Sequence, residues 1–166
     1  MKISEVMTAN PVCCVSSDPA DVAAILMRDE DTGIIPIIKD EDSRKVIGVI
    51  TDRDLCLSLI ADRERHFLAA GRDPGSLPVT EFMTRQLITC SPDDDADRAL
   101  ELMRENQVRR ILAVDDKGVI QGIVTVADLV RRGELADGSM RATLEKICEP
   151  TGVASKPRAE SAAQSS

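Results

Sequence analysis

The apolar positions of this chain follow two spacings, one typical of helices and one typical of strands. A set at i, i+3, i+4 and i+7 predicts a helix over 20–29, and its members are Ala20, Ala23, Ala24 and Met27. Two short runs rich in Ile and Val follow, Ile34–Ile38 and Val46–Thr51, with a polar turn between them. Runs of this length bounded by turns predict strands that are buried on at least one face.

The same pattern occurs a second time along the chain. Met7-Thr8 recurs 76 residues later as Met83-Thr84. The helix face recurs at the same offset as Ala96, Ala99, Leu100 and Met103. The segment 48–55, which reads Gly-Val-Ile-Thr-Asp-Arg-Asp-Leu, has its counterpart at 122–129. Two copies of one unit therefore account for most of the chain.

Each copy is predicted to have the element order β-α-β-β-α. The second helix of each copy is predicted to begin at Thr51 or Thr125. The first strands of the two copies and the later strands of the second copy are predicted at 11–15, 87–90, 111–114 and 119–125. The predicted fold class is thus α/β (α+β), with two tandem β-α-β-β-α repeats.

The remaining segments join or follow these repeats. A longer helix is predicted over 55–70, ended by Gly71 and by the turn at 73–76. The end of the chain after Pro150 is too poor in apolar residues to pack, so we expect it to be disordered. The predicted boundaries are repeat 1 at 3–60, an inter-repeat helix and turn at 61–79, repeat 2 at 80–135, a C-terminal helical segment at 136–149 and a tail at 150–166.

Composition and charge exclude several classes of function. The chain has 166 residues and a net charge of −8, and Phe67 and Phe82 are its only aromatic residues. It therefore lacks the aromatic platforms on which nucleic-acid bases stack, and its charge opposes binding to nucleic acid or to an anionic membrane. No apolar run approaches the length of a membrane span, and the first residues lack the apolar stretch of a secretion signal. We expect a cytoplasmic protein with no membrane or nucleic-acid partner.

The five cysteines and the single histidine, His66, match no common metal-ligand pattern. Because there is no Cys-x-x-Cys spacing, a zinc site would need an unusual ligand set. We expect no metal, and thiols that are reduced and mostly buried. Cys13 and Cys14 are adjacent in a predicted strand, so their side chains should point to opposite faces.

Taken in order, each copy carries Met-Thr, then Ala-x-x-x-Met-Arg, a hydrophobic run and Gly-x-x-Thr-x-x-Asp-Leu. These paired motifs resemble cystathionine β-synthase (CBS) domains, two of which form a Bateman module. The resemblance covers about residues 3–133, and we expect a stand-alone CBS pair with no other domain fused to it. The segments 69–74 and 146–148 also resemble the short hypoxic-response type of CBS protein.

The resemblance implies a pseudo-two-fold pair of repeats that pack sheet to sheet, with two clefts between them. Members of the family often bind an adenosine-containing ligand in these clefts, such as AMP, ADP, ATP or S-adenosylmethionine, and no cofactor is required. Pairs commonly assemble into a homodimer. Since no effector domain is fused to the repeats, any output is expected to pass to a separate effector protein.

The motifs Thr51-x-x-Asp54 and Thr125-x-x-Asp128 each lie where a strand turns into a helix. One interpretation is structural, because this is a capping-box pattern with Asp in place of Glu or Gln. The other is ligand binding, because a helix N-terminus attracts phosphate and a nearby carboxylate can accept both hydroxyls of a ribose. In the family, the Asp contacts ribose and the Thr lies near phosphate, which implies the same roles here.

The two copies differ in the charges near this motif. The second copy carries Arg109 and Arg110, which either contact a phosphate or simply offset neighbouring surface acids. The first copy carries Asp52, which either repels a polyphosphate or caps the helix, and Arg53. Six apolar residues are candidates for an adenine slot and equally for plain core packing: Ile35 and Pro36 or Ile111 and Leu112, with Val12 or Ile88 opposite.

Two functions remain open on these observations. The first is a regulatory module that senses an adenosine-containing nucleotide and signals to a separate partner. The alternative is a non-catalytic assembly or interaction protein with empty clefts. An enzyme is not expected, because no nucleophile is paired with a base and there is no Walker-type loop. Substituting Asn for Asp54 and Asp128 distinguishes the two functions, because Asn still caps a helix.

Overall fold

The computed structural model describes residues 1–60, 71, 73–132 and 139–148. The predicted continuation of the inter-repeat helix over 61–70 lies outside these residues, and so does the predicted disordered tail. The boundaries given above for the repeats remain predictions. The predicted C-terminal helical segment is described over Ser139–Cys148.

Helices and strands alternate along both halves of the described chain. The first half contains α1 (Ile3–Val6), β1 (Thr8–Ala9), β2 (Cys14–Val15), α2 (Ala20–Asp29), β3 (Ile34–Ile38), β4 (Val46–Thr51) and α3 (Asp52–Ile60). The second half contains β5 (Thr89–Cys90), α4 (Ala96–Asn106), β6 (Arg110–Val114), β7 (Ile120–Thr125), α5 (Val126–Arg132) and α6 (Ser139–Cys148). Two short 3-10 helices, Pro74–Ser76 and Val79–Glu81, lie between the halves.

The predicted order β-α-β-β-α is confirmed in both copies, as β2-α2-β3-β4-α3 and β5-α4-β6-β7-α5. The predicted bounds of α2, β3 and β4 are also confirmed. The first strands are shorter than predicted, with only two paired residues each. The helices α3 and α5 begin one residue later than predicted, because Thr51 and Thr125 still pair in their strands.

The strands form two sheets, one for each repeat. In the first sheet, β2 is parallel and β4 antiparallel to the central β3. The second sheet repeats this arrangement with β5, β6 and β7, and β1 adds a fourth strand beside β7. Equivalent residues occupy equivalent places, since Ile34 pairs with Thr51 in the first sheet and Arg110 pairs with Thr125 in the second.

The first residues of each repeat pack on the other repeat. β1 lies near the start of repeat 1, yet its Thr8 pairs with Ile123 of β7 in repeat 2. Conversely, Thr84 precedes the strands of repeat 2 and exchanges two backbone hydrogen bonds with Val49 of β4, at 2.8 and 3.0 Å. The core of repeat 1 also includes the apolar residues just before Thr84, namely Leu77, Val79 and Phe82. The sequence pattern predicted neither β1 nor this exchange, because a two-residue strand shows no alternation.

Two glycines allow this exchange. A Cβ on Gly48 would lie 2.5 Å from Sδ of Met83 and 3.1 Å from the carbonyl oxygen of Thr84. At Gly122, a Cβ would overlap the side chain of Met7, the residue equivalent to Met83. Each methionine therefore packs against a strand of the other repeat at a position where only glycine leaves room.

A third core joins the two sheets, which confirms the packing of the repeats as a sheet-to-sheet pair. Its buried residues are Ile34, Ile38, Leu112, Ile120 and Ile123. Cys13 packs against this core while Cys14 lies in the core of repeat 1, so the two thiols point to opposite faces as predicted. Cys14 and Cys90 are buried and Cys13 is half-buried, but Cys56 and Cys148 are exposed.

The turn between the repeats has the predicted form. Gly71 has a positive φ of 68°, and Asp73 caps the following 3-10 helix by accepting a hydrogen bond from the backbone N–H of Gly75 at 3.0 Å. None of the helices in the described residues has the length and hydropathy needed to cross a membrane.

Two candidate ligand cavities between the repeats

A cavity opens between the repeats beside each Thr-x-x-Asp motif. The first, which we call the Asp54 cavity, has a volume of about 370 Å³. Its walls are Gly33, Ile34, Val49 and Thr51 to Asp54 from the first half, with Thr84, Gln86 to Ile88 and Val108 to Leu112 from the second. The second, the Asp128 cavity, has a volume of about 240 Å³. Its walls are Thr8, Pro11, Val12, Glu30 to Thr32 and Ile34 with Ile123, Thr125, Asp128 and Arg131.

The motif in each cavity forms a reciprocal capping box. The Oγ1 hydroxyl and the backbone N–H of Thr51 both donate to Oδ2 of Asp54, at 2.7 and 3.0 Å. The backbone N–H of Asp54 in turn donates to Oγ1 of Thr51 at 3.1 Å. Thr125 and Asp128 make the same three hydrogen bonds, at 2.6, 3.0 and 3.1 Å. The predicted capping role is confirmed at both motifs, and it uses only one oxygen of each carboxylate.

The second carboxylate oxygen distinguishes the two cavities. Oδ1 of Asp128 lies 3.5 Å from the guanidinium of Arg131. Oδ1 of Asp54 has no hydrogen-bond or ion-pair partner within the ranges that the structure describes. It therefore remains available to accept hydrogen bonds from hydroxyl groups inside the Asp54 cavity.

Three arginines line the Asp54 cavity. Arg53 comes from the first turn of α3, whereas Arg110 begins β6 in the other repeat and Arg109 directly precedes that strand. In the described part of the chain, none of these three guanidiniums lies within 4.0 Å of a carboxylate oxygen. Unpaired guanidinium groups beside a helix N-terminus form a favourable environment for an anion.

One carboxylate lies close to this basic group. A Cβ placed on Gly33 would be 3.0 Å from Oδ2 of Asp52 and 3.2 Å from Nη1 of Arg110. The two charged side chains thus converge over Gly33 at the wall of the cavity. Any anion that contacts Arg110 therefore also comes near the negative charge of Asp52.

The apolar candidates are divided between the cavities and the core. Ile88, Ile111 and Leu112 line the Asp54 cavity together, and Val12 lines the Asp128 cavity. Ile35 and Pro36 are buried in β3 and line neither of these cavities. The structure thus brings Ile88 together with Ile111 and Leu112 in one cavity, whereas Val12 packs against the core of repeat 1, which includes Ile35.

Several lining residues were not among those selected from the sequence. The Asp54 cavity includes Thr84, and the Asp128 cavity includes the equivalent Thr8. The recurrence of Met-Thr at an offset of 76 was the available signal for both. Glu30 and Asp31 also line the Asp128 cavity, and no sequence pattern indicated them.

The thiols near these cavities are held in the neutral form. Burial raises the pKa of Cys13, although the nearby Arg44 opposes this effect. Burial, reinforced by the negative charge of Asp18, raises the pKa of Cys14 to about 12. Protonated thiols are poor nucleophiles and poor metal ligands. Among the described residues, no three His, Cys, Asp or Glu side chains lie close enough together to hold a metal ion.

Two sheets joined by exchanged segments, with a Thr-x-x-Asp cavity on each side, define a paired-repeat fold. The family model described as CBS domain matches this chain twice, at residues 3–61 and 79–134. The chain therefore belongs to the CBS domain family, as the sequence motifs predicted.

Relatives of similar length support this assignment. An uncharacterized protein, YlbB of Bacillus subtilis, is 37% identical over 128 residues, which is 77% of this chain and 79% of that protein. Hypoxic response protein 1 of Mycobacterium tuberculosis is 30% identical over 151 residues, or 91% of this chain and 96% of that protein. The predicted resemblance to the hypoxic-response type is thus confirmed as sequence similarity.

Solved structures show the same fold with different ligands. The hypoxic response protein, described with two coordinated zinc ions, superimposes with a TM-score of 0.64 at 30% identity, covering 80% of this chain and 98% of that one. CBSX2 in complex with AMP gives 0.64 at 26% identity, covering 78% and 93%. The CBS domain pair of MJ0100, in complex with 5′-methylthioadenosine and S-adenosylmethionine, gives 0.62 at 27%, covering 79% and 94%.

Proposed function

We propose that this chain is a regulatory module that binds an adenosine nucleotide in the Asp54 cavity and signals to a separate protein. The observation that carries the proposal is that one cavity holds both Oδ1 of Asp54 and three guanidinium groups, none of which has a side-chain partner among the residues that the structure describes. The carboxylate is suited to the hydroxyls of a ribose, and the guanidinium groups are suited to a phosphate. AMP and its di- and triphosphate analogues carry both groups.

The remaining walls suit the rest of such a ligand. Ile88, Ile111 and Leu112 provide an apolar slot for a flat base. The N-terminus of α3, a helix of nine residues, contributes partial positive charge on the phosphate side. Its first N–H groups already have acceptors, since those of Arg53 and Asp54 donate to the side chains of Asp52 and Thr51. The AMP complex of CBSX2, a protein of the same fold, supports adenosine as the nucleoside.

Ligand binding can be signalled because the walls of the Asp54 cavity come from both repeats. Asp54 belongs to repeat 1, whereas Arg109 and Arg110 belong to repeat 2. A ligand that contacts both repeats stabilises the arrangement in which they are closest to it, and it shifts the population toward that arrangement. A partner that recognises one arrangement would then bind differently with and without nucleotide. The chain itself performs no reaction in this proposal.

Isothermal titration calorimetry with AMP, ADP and ATP tests the proposal. Asp54→Asn keeps an oxygen for Thr51 but places an amide NH₂ group where the free Oδ1 lies. It should therefore weaken AMP binding by roughly 10- to 100-fold, the value of a hydrogen bond to a charged group, with little change in Tm. Arg109→Gln/Arg110→Gln should weaken AMP binding to a similar extent.

Two matched variants serve as controls. Asp128→Asn makes the same chemical change in the other cavity, and Arg98→Gln removes an exposed arginine of α4 that pairs with Glu101 at 3.0 Å. Neither should change the affinity for AMP by more than about twofold. If AMP, ADP and ATP all fail to bind at millimolar concentration, the nucleotide-sensing function is wrong. The assembly function, in which Thr51 and Asp54 serve only as a cap, would then replace it.

The predicted homodimer remains a proposal with its own support. Ile25 of α2 and Leu57 of α3 are large apolar side chains that are 44% and 45% exposed, on helices that contact each other. Covering such a surface with a second copy is favourable because it removes apolar area from water. Light scattering coupled to size-exclusion chromatography should give twice the chain mass of 18.0 kDa. Ile25→Glu/Leu57→Glu should reduce it to the monomer mass.

A further inference from the structure

The helical faces of the two repeats differ, although both come from the same repeated unit. In repeat 1, Ile25 of α2 and Leu57 of α3 are exposed on helices that contact each other, and we call this surface the α2–α3 face. The equivalent residues of repeat 2 are Glu101 of α4 and Arg131 of α5, which lie 76 and 74 positions later. Both are exposed and form ion pairs within their own helices, at 3.0 and 3.5 Å. The face of repeat 1 is thus apolar where that of repeat 2 is charged.

The helix α6 covers the α4 side of repeat 2. It packs along α4 and buries Thr143 and Ile147, which are 1% and 8% exposed. The side-chain amide of Gln107, the C-cap of α4, donates a hydrogen bond to the carbonyl oxygen of Lys146 at 3.2 Å. α6 is therefore held on α4 by apolar contacts along its length and by a hydrogen bond near its end.

The surface that α6 covers on α4 corresponds to an open surface on α2. Leu100 of α4 is 1% exposed and belongs to the same core as Ile147. Its equivalent in α2 is Ala24, which is exposed beside Ile25. α6 thus closes repeat 2 to another chain along α4, whereas the equivalent side of repeat 1 stays open.

Charge determines which face of a second copy fits the α2–α3 face. Contact of repeat 1 with repeat 2 would place its two apolar side chains against Glu101 and Arg131, and the cost of removing these charges from water opposes that contact. Contact of repeat 1 with repeat 1 buries Ile25 and Leu57 of both copies, which removes only apolar area from water. Such a contact is self-complementary, as a two-fold interface requires. Contact of repeat 2 with repeat 2 would bury charges from both copies and is blocked along α4 by α6.

Two further large apolar side chains are exposed on the side of repeat 2, Val130 of α5 at 56% and Leu144 of α6 at 40%. Each is followed by a charged residue, Val130 by Arg131 and Leu144 by Glu145, which pairs with Arg141 at 2.9 Å. Single apolar side chains next to charges are ordinary on protein surfaces. These two residues therefore serve as matched controls for the pair on the α2–α3 face.

We propose that two copies of this chain associate through the α2–α3 face of repeat 1 alone, and that α6 keeps repeat 2 out of the interface. The proposal rests on the proposed homodimer and adds which surface forms it. Each end of the two-chain assembly then presents a repeat 2 with its α6 to the surrounding solution. The helix α3 carries both Leu57 in the interface and Asp54 in the cavity, so the second copy contacts the same helix as the nucleotide.

Light scattering coupled to size-exclusion chromatography tests this inference on the full chain. Ile25→Glu/Leu57→Glu should give the single-chain mass of 18.0 kDa. Val130→Glu/Leu144→Glu makes the same chemical change on the side of repeat 2 and should keep the mass of two chains. A single-chain mass for this second variant, or a two-chain mass for the first, would overturn the inference and leave the homodimer standing. A single-chain mass for the unmodified chain would instead overturn the homodimer.

The two exposed thiols report on the geometry independently. Cys56 directly precedes Leu57 on α3, whereas Cys148 ends α6. A flexible bismaleimide, which joins two thiols, should link the two chains covalently. Cys56→Ser should abolish the linked dimer and Cys148→Ser should not. A linked dimer that requires Cys148, or none through Cys56, would contradict the proposed arrangement.

Releasing α6 tests its role as a cover. Thr143→Arg/Ile147→Glu places charges at its two buried positions, and faster tryptic cleavage after Arg141 should show that the helix is released. With Leu100 uncovered, the mass should rise above that of two chains as the protein concentration increases. A released α6 with a mass that stays at two chains would show that α6 does not exclude repeat 2. The face variants leave α6 in place, so they decide the interface even if this variant fails to fold.

Discussion

The guanidinium of Arg131 lies 3.5 Å from Oδ1 of Asp128, whereas the equivalent oxygen of Asp54 in the other repeat has no partner in the part of the chain that the structure describes. The residue equivalent to Arg131 in the first repeat is Leu57, so the difference is built into the two helices α5 and α3. The two motifs are thus equivalent as helix caps and different as binding groups.

Replacing Arg131 should therefore strengthen binding in the Asp128 cavity. Arg131→Gln releases Oδ1 and removes the only positive charge among the described residues that line this cavity. Because an exposed ion pair is worth about 0–1 kcal/mol, the affinity of this cavity for adenosine should rise by up to about fivefold in calorimetric titration. Arg141→Gln, which removes an exposed arginine paired with Glu145 on α6, provides the control. Weaker binding in Arg131→Gln would contradict the role given to this pair.

Asp52 should limit the number of phosphates that the Asp54 cavity accepts. Its Oδ2 converges with Nη1 of Arg110 over Gly33, so each added phosphate brings more negative charge near it. Asp52→Asn should raise the affinity for ATP about threefold more than the affinity for AMP, and added salt should shrink this difference because Asp52 is exposed. Competition titrations of the two nucleotides measure the ratio. An equal change for both nucleotides would mean that Asp52 acts only at the helix terminus.

Gly122→Ala should destabilise the fold. The new Cβ would overlap the side chain of Met7 and lie 3.0 Å from the carbonyl oxygen of Thr8, which is held in β1. Overpacking of this kind costs about 1–3 kcal/mol in the free energy of unfolding, which urea denaturation measures. The decrease in the free energy of unfolding that Gly122→Ala causes should be smaller when Met7 is also replaced by Ala. Gly75→Ala, where the nearest atom is 3.4 Å away, should have little effect.

The buried thiols should make the fold less stable at alkaline pH. Burial raises the pKa of Cys14 to about 12 and that of Cys90 to about 11, with added repulsion from Asp18 and Asp94 respectively. An unfolded thiol ionises near its ordinary pKa of about 8.5. The stability due to these neutral thiols is therefore complete below that pH and decreases as the pH rises toward the folded-state values.

Urea denaturation at pH 8 and pH 10.5 measures this effect. Cys14→Ala/Cys90→Ala should lose less stability between the two pH values than the unmodified chain, although its stability at pH 8 will be lower because the core is less filled. Cys56→Ala removes an exposed thiol and should keep the original pH dependence. Equal losses in all three proteins would show that other groups govern the alkaline transition.

Local sequence patterns predicted the helices and strands correctly where these elements are several residues long. The helix α2 and the strands β3 and β4 have the predicted bounds, because hydrophobic periodicity and turn residues are local properties of the chain. β1 was not predicted, because its two residues form a strand only through pairing with Gly122 and Ile123, more than a hundred residues away.

The candidate site was predicted only in part, because the sequence shows local motifs but not the contacts between distant residues. Repetition of Thr-x-x-Asp identified both caps, and the charges of Arg109 and Arg110 were visible in the sequence. The sequence did not show that these two arginines share a cavity with Asp54, since a repeat alignment gives no information about which motif faces which strand. The apolar candidates show the same limit, because Ile35 and Ile111 are equivalent in the repeat, yet only Ile111 lines a cavity.

The sequence by itself determined that the chain is a pair of CBS repeats with two capped helix starts, because these features rest on short motifs and their duplication. Only the tertiary structure decided that Arg109 and Arg110 share a cavity with Asp54, and that Glu30 and Asp31 share one with Asp128. The physical reason is the exchange of the first residues of each repeat, which holds the two sheets face to face. Each cavity is therefore assembled from residues far apart in the chain, whose charges combine only after folding.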